Sequence, residues 1–176
     1  MAVFKTTNGK GKYHDLNSKR EVIDYILDDK KVINGYFNMM YVNPANPDLS
    51  MQDTSANFGK ENGVQLRHFV VSFDRSEVSS PVIVNQIAYE FMCHIAQRYQ
   101  VVYAVHEDAE QLHFHIVFNS VSYVTGQRYR GTKWEHYGLL KILKIIAIKY
   151  GIYYVHPVYD WNLPVVLTTL RVIFFI

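Results

Sequence analysis

The sequence predicts an α+β two-layer sandwich: a largely antiparallel sheet with helices on one face. Three observations predict it. Residues 66–73, 101–105 and 112–124 alternate or concentrate β-branched and aromatic residues, as strands do. Two long helical patterns, 81–99 and about 134–150, interrupt those runs. The length, 176 residues of which 49% are hydrophobic, suffices for one domain with a sizeable core.

Taken in order, residues 2–5 lean toward a strand and 8–12, rich in glycine and lysine, toward a turn. Ser18-Lys19-Arg20-Glu21 has the form of a capping box, starting a helix at Ser18 that covers about 20–28. Val22, Ile23 and Ile26 give it an apolar side, on which Tyr25 also lies. Residues 34–44 read as a packed aromatic segment, and 43–63, rich in Asn, Pro, Asp, Ser and Gly, as a long polar loop. In 66–73, His68, Val70 and Ser72 alternate with Phe69, Val71 and Phe73. Ile83, Ile87, Ala88, Phe91, Met92, Ile95 and Tyr99 follow helical spacing, with Pro81 placed at the helix start. After the 112–124 run, Thr125-Gly126 is a turn into a short strand at 127–130. The last helix stops at Tyr150-Gly151, and 152–155 forms a final short strand.

Composition bounds the function. One cysteine precludes an intrachain disulfide and fits a reducing cytoplasm; no apolar run of useful length follows Met1-Ala-Val-Phe-Lys, so no signal peptide is expected in this sequence. The apolar tail 163–176 is interrupted by Pro164 and Arg171 and falls short of the ~20 residues of a membrane span, so no membrane is expected. A net charge of +2 does not announce a nucleic-acid binder, but Arg128, Arg130, Lys133, Lys141, Lys144 and Lys149 face only Glu135 in their stretch. A solvated helix face is the common meaning of such a run, although Tyr129 and Trp134 among the cations offer stacking surfaces for bases.

The run from Val105 to Asn119 carries the chemistry. His113 and His115 are two apart on a predicted strand and so leave one face, while Phe114, Ile116 and Phe118 leave the other. His106 ends the preceding strand, and the short connection allows a hairpin that sets it beside the pair. Three neutral imidazoles without a nearby cysteine describe a divalent metal site with open positions, on the sheet face opposite the helices. By parity Asn119 shares that face. Zinc deaminases and structural zinc modules need more cysteines than Cys93; histidine-triad hydrolases need a histidine at Val117; the helical His-Glu-x-x-His pattern is absent.

The remaining pattern resembles the His-hydrophobic-His (HUH) endonucleases, with Phe114 as the hydrophobic residue. It is closer to the relaxases, or mobilisation nucleases, of the MobA/VirD2 kind. Their third motif, approximately His-x-Asp-x4-His-x-His-x3-Asn, is matched without a gap by His106, Asp108, His113, His115 and Asn119. Some relatives add a histidine where Gln111 stands. Residues 120–129 look like the hairpin that follows that motif, and 67–73 resemble the second motif. Residues 21–29, Glu-Val-Ile-Asp-Tyr-Ile-Leu-Asp-Asp, resemble the first, with Tyr25 one residue after its apolar pair. The likeness covers about residues 20–157.

The resemblance implies a metal-dependent, site- and strand-specific nicking and rejoining of DNA at the transfer origin of a plasmid or mobile element. Tyr25 would be the nucleophile, forming a 5′-phosphotyrosine; Tyr36 and Tyr41 are the other candidates. His106, His113 and His115 would hold magnesium or manganese. Asp108 is the preferred proton acceptor, with His68 second, and the loop at 43–63 could close over the DNA. Arg128, Arg130 and Lys133 would bind DNA backbone. Implied partners are single-stranded origin DNA, relaxosome accessory proteins and a coupling protein. Initiators of rolling-circle replication commonly carry their tyrosine after the histidines, so the position of Tyr25 argues against that alternative. Residues 1–157 form the expected domain, followed by an apolar tail at 158–176. Relaxases usually continue into helical regions, so a truncated DNA-binding remnant without transfer activity is the second reading.

Overall fold

The computed structural model describes residues 1–7, 12–107 and 110–158. Asp108 and the apolar tail therefore lie outside the described residues, as does most of the turn expected at 8–12. The elements are β1 (Ala2–Thr6), α1 (Ser18–Ile26), β2 (Val32–Met40), α2 (Pro47–Asn57), β3 (Leu66–Phe73), α3 (Pro81–Ala96), β4 (Val101–His106), β5 (Leu112–Asn119), α4 (Lys133–Lys149) and β6 (Val155–Val158). The six strands form one open sheet in the order β2-β4-β5-β3-β1-β6. Every pairing is antiparallel except β1 with β6.

Strand parity divides the sheet into two chemically different faces. Phe69, Val71, Phe73, Val101, Tyr103, Val105, Phe114, Ile116 and Phe118 point one way and bury against α3 and α4. Each full burial of such a side chain contributes about 1.5–3 kcal/mol. The other face carries His68, Ala104, His106, His113, His115 and Asn119. At its far end Ile23, Ile26 and Met51 cover Val102, Val117 and Leu66, so the short helices α1 and α2 roof part of the histidine face. The long helices thus occupy one face and the histidine cluster the other, with α1 beside it.

Four local expectations change. The Ser18 capping box is not formed: Asn17 occupies the cap position without a side-chain bond, and Ser18 is the first helical residue. The box that exists is Thr132 with Glu135 at the start of α4, where both reciprocal bonds form. Residues 43–63 are not one loop, because Pro47 starts an eleven-residue helix. That helix is held by buried Met51 and Ser55, whose carbonyl and hydroxyl accept from the ammonium of fully buried Lys19 at 2.9 and 2.8 Å. Burial, and secondarily the charge of Arg128, lowers the Lys19 pKa to about 8. Finally, 34–44 contains most of an edge strand, irregular where Gly35 (φ +82°) displaces the register between Val32 and Phe37. The segment expected as a strand at 127–130 is reduced to a single bridge, Val121 with Arg128.

Candidate metal centre

The β4–β5 hairpin sets His106 directly opposite His113, and β5 carries His115 two residues on. One nitrogen from each of His106, His113 and His115 lies within 4.8 Å of the others. Two bonds of roughly 2.1 Å to a shared ion allow a separation of about 4.2 Å, so contraction of about half an ångström completes coordination. The cluster could hold a metal.

The surrounding bonds select tautomers that suit a ligand set. His106 Nε2 lies 2.8 Å from the Ile26 carbonyl. A carbonyl only accepts, so Nε2–H donates and Nδ1 carries the lone pair. That carbonyl is available because α1 ends at Ile26, leaving it without a donor four residues on. The negative end of the α1 dipole also favours a cation here. His113 Nδ1 donates to the Gln111 carbonyl at 3.0 Å, leaving Nε2 as the ligand atom. His115 Nδ1 lies 2.8 Å from His68 Nε2, while its own Nε2 is buried with no hydrogen-bond partner among the described residues. A buried lone pair without a donor is costly unless a cation takes it. The donor set fits a divalent ion.

Burial disfavours charged imidazoles here. Desolvation, then the nearby Lys12 and His106, depresses the His68 pKa to about 3. Desolvation followed by the neighbouring histidines and Lys31 depresses that of His115 to about 2. On the opposite face, burial takes His136 to about 4. The unfolded chain gains protons on these groups below the ordinary value of 6.5, whereas the folded chain does not until about pH 4 or lower. Stability is therefore fully present above pH 6.5 and lost as pH falls below it. With a chelator present, the thermal midpoint should drop between pH 7 and pH 5. The slope approaches about 1.4 kcal/mol per pH unit for each neutral-held histidine. A flat profile would contradict their neutral burial.

Tyr25 sits at this cluster. Its ring lies edge-on to His115 at 5.5 Å and to His106 at 6.3 Å, and the side chain is 45% exposed. Lys31 Nζ stands 4.1 Å from the centroid of the ring. Tyr25, His113, His115 and His68 line one cleft of about 520 Å3, with Lys5, Thr7, Val70, Ser72, Glu110 and Gln111. The other candidate tyrosines lie elsewhere. Tyr36 packs against the core beneath the opposite face, and Tyr41 stacks on Tyr123 at 4.7 Å beyond the far end of β5.

The remaining predicted residues separate from the cluster. Asn119 shares the histidine face but serves structure: its amide donates to the Met51 carbonyl and Gln100 Oε1 and accepts from Ser55. Arg128 is turned to the loop before β3, donating to the carbonyls of Lys60, Asn62 and Val64. Arg130 and Lys133 are exposed at the start of α4, at the end of β5 away from the histidines. Sequence reasoning missed Lys5, Thr7, Tyr13 and Lys31 near the cluster. Parity alone could have placed His68 there, since it shares a face with Val70, the register partner of His115.

Residues 25–152 match the MobA/VirD2-like nuclease domain of the relaxases. The chain belongs to that family. It is similar to three proteins named Protein rlx from Staphylococcus aureus. One is 40% identical over 82 residues, covering 47% of this chain and 25% of that protein. The second is 38% identical over 84 residues (48% and 26%), and the third 33% over 84 (48% and 25%). The chain thus spans about a quarter of the length of these relatives. No solved structure matches it. Among the described residues of this relaxase-family domain, no helix is long and apolar enough to cross a membrane.

Proposed function

We propose that this relaxase-family domain nicks and rejoins one DNA strand at the transfer origin of a plasmid or mobile element. The observation that carries the reading is the phenol of Tyr25, held against His106 and His115 at the mouth of the cleft that His113 and His115 line. A phosphodiester resists attack because its anionic oxygens repel the nucleophile. An ion held by His106, His113 and His115, magnesium or manganese, would supply charge neutralisation and polarisation of the scissile phosphate.

The chain's own residues do the rest. Tyr25 Oη attacks phosphorus in line; a P–O bond to tyrosine forms as the bond to the 3′ oxygen breaks. The phenol proton passes to an acceptor, the 3′ oxygen takes up a proton, and the 5′ end remains as phosphotyrosine. We assign the acceptor to Asp108 on its motif position, because both nitrogens of His68 are engaged by His115 and Tyr13. The ester bond is conserved, so the reverse attack by a 3′-hydroxyl reseals a strand. The ammonium of Lys31 over the ring and that of Lys5 at the cleft favour an anionic polymer in this groove.

The test is incubation of the chain with manganese and single-stranded oligonucleotides tiling a transfer origin, resolved on a denaturing gel. A covalent adduct with a free 3′-hydroxyl fragment is expected. Metal-dependent binding with no adduct at any origin would leave the non-transferring DNA-binding reading.

The basic residues beyond the cleft divide into two roles. Exposed Arg130 and Lys133 bind backbone phosphate in this reading, so neutralising both should lower the salt slope of DNA binding by about one unit for each phosphate they pair with. Arg128→Ala should instead cost about 1–3 kcal/mol of stability, because three carbonyls lose their shared donor. Salt titrations and thermal melts of the variants separate the two. An unchanged salt slope on removing Arg130 and Lys133 would make that surface a solvated face.

A further inference from the structure

Behind His115 a row of hydrogen bonds runs through His68 to Tyr13 and Thr7, with links of 2.8, 3.2 and 3.1 Å. Its direction follows from proton counting. Thr7 Oγ1 donates to the His68 carbonyl at 3.1 Å, so its single proton is spent there. The bond between Thr7 and Tyr13 therefore takes its proton from the Tyr13 phenol. With that proton also spent, His68 Nδ1–H must donate to the Tyr13 oxygen. A neutral His68 then has its lone pair on Nε2, and that nitrogen accepts from His115 Nδ1–H. His115 is left with its lone pair on Nε2, the atom buried without a hydrogen-bond partner among the described residues.

We propose that His68 is a positioning residue for the metal centre: through Tyr13 and Thr7 it locks His115 in the tautomer and ring orientation that presents Nε2 to a divalent ion. The inference rests on the metal reading above and adds to it an outer layer that a backbone carbonyl polarises. The register supports it independently. His68 and His115 leave neighbouring strands on the same face, and their rings sit 5.0 Å apart. His68 is 5% exposed and held between His115 and Tyr13 through both ring nitrogens. Thr7 follows β1 and Tyr13 precedes α1, so the polypeptide's first segment is tied to the metal face by hydrogen bonds rather than by apolar packing alone.

Outer-layer partners of this kind typically change metal affinity by about 10–100-fold. The test uses the full chain and Mn2+ titrated by calorimetry, with the visible spectrum of the Co2+ form as a report on the ligand set. His68→Phe keeps bulk but cannot accept, so the Mn2+ Kd should rise by about 10–100-fold and the Co2+ bands should shift. His68→Gln places an amide oxygen near the lost Nε2 and should recover most of the affinity and the bands. Tyr13→Phe removes the next link and should weaken binding less than His68→Phe. Circular dichroism of the metal-free variants checks their fold; if His68→Phe does not fold, the Tyr13→Phe and His68→Gln results decide. Wild-type affinity in His68→Phe or in Tyr13→Phe overturns the proposal, as does equal loss in His68→Phe and His68→Gln, which is the mark of packing. A wild-type chain that binds neither ion overturns the metal reading itself and this inference with it, whereas a binding wild type with indifferent variants overturns this inference alone.

Discussion

Replacing Tyr25 by phenylalanine should abolish the covalent DNA adduct of the proposed reaction while leaving metal and DNA binding in place. The substitution removes one oxygen and nothing else. Tyr25 is 45% exposed, and the ring contacts with His106 and His115 and the position under Lys31 belong to the ring, which phenylalanine keeps. The stability change is therefore expected within about 0.5 kcal/mol. The loss in nicking is far larger, because an oxygen held for in-line attack at ~3–3.5 Å is worth a high effective concentration that bulk water does not supply. A fall of about 10^4-fold or more in adduct formation is expected. Wild type and variant are compared by denaturing gel, by calorimetry with Mn2+ and by fluorescence binding to the same oligonucleotide. An adduct that survives and maps to Tyr36 or Tyr41 defeats the assignment.

The contrast between Tyr25 and its helix shows how far the sequence reaches. Ile23 and Ile26 were legible as an apolar side, and they are buried. Tyr25 counted on the same side by sequence, yet it stays half exposed, because α1 ends within the roof and leaves its ring over the histidines instead of under the helix. The histidine pair was legible from parity, since period-two alternation has one outcome once β5 pairs on both sides. Strand β2 was not. Asn34, Gly35 and Asn38 dilute its pattern, and an edge strand needs only one apolar side. Helix α2 was hidden for a related reason: Asp48, Ser50, Gln52, Asp53, Thr54 and Asn57 read as loop, and the helix is fixed by contacts from outside its own sequence. Lys19 and Asn119 both bond to the Met51 carbonyl, 32 and 68 residues away in the chain. The row from His115 to Tyr13 spans similar separations, 47 and 55 residues, and no local pattern encodes it. What sequence specifies well is the face a residue takes; what meets it there is decided by topology.

Removing a histidine from the cluster should be nearly as damaging as removing the nucleophile, but with a different signature. His113 and His115 each supply one of three nitrogens within 4.8 Å. Without one, the remaining two imidazoles would hold a divalent ion weakly, and the phosphate would lose the charge neutralisation that such an ion would supply in the proposed reaction. That contribution is several kcal/mol, so metal-stimulated nicking should fall by about 1000-fold or more in His113→Ala and in His115→Ala. The two variants differ in their effect on the fold. His113 is partly exposed at the cleft, where its loss leaves a solvated gap and little change in stability. His115 is 4% exposed and bonded to His68, so alanine there leaves a hole and strips the His68 Nε2 of its donor. The metal-free His115→Ala chain should therefore melt lower than His113→Ala, by a difference of about 1–3 kcal/mol. Both variants should still bind single-stranded DNA at low salt, since Lys5, Lys31, Arg130 and Lys133 are untouched. Mn2+ calorimetry, thermal melts with chelator and adduct assays on the same preparations check all three. Retained manganese affinity in either variant would remove that residue from the centre. Retained nicking in both would remove the metal from the reaction, because it would show that the repulsion of the phosphate oxygens is overcome without an ion at the three histidines.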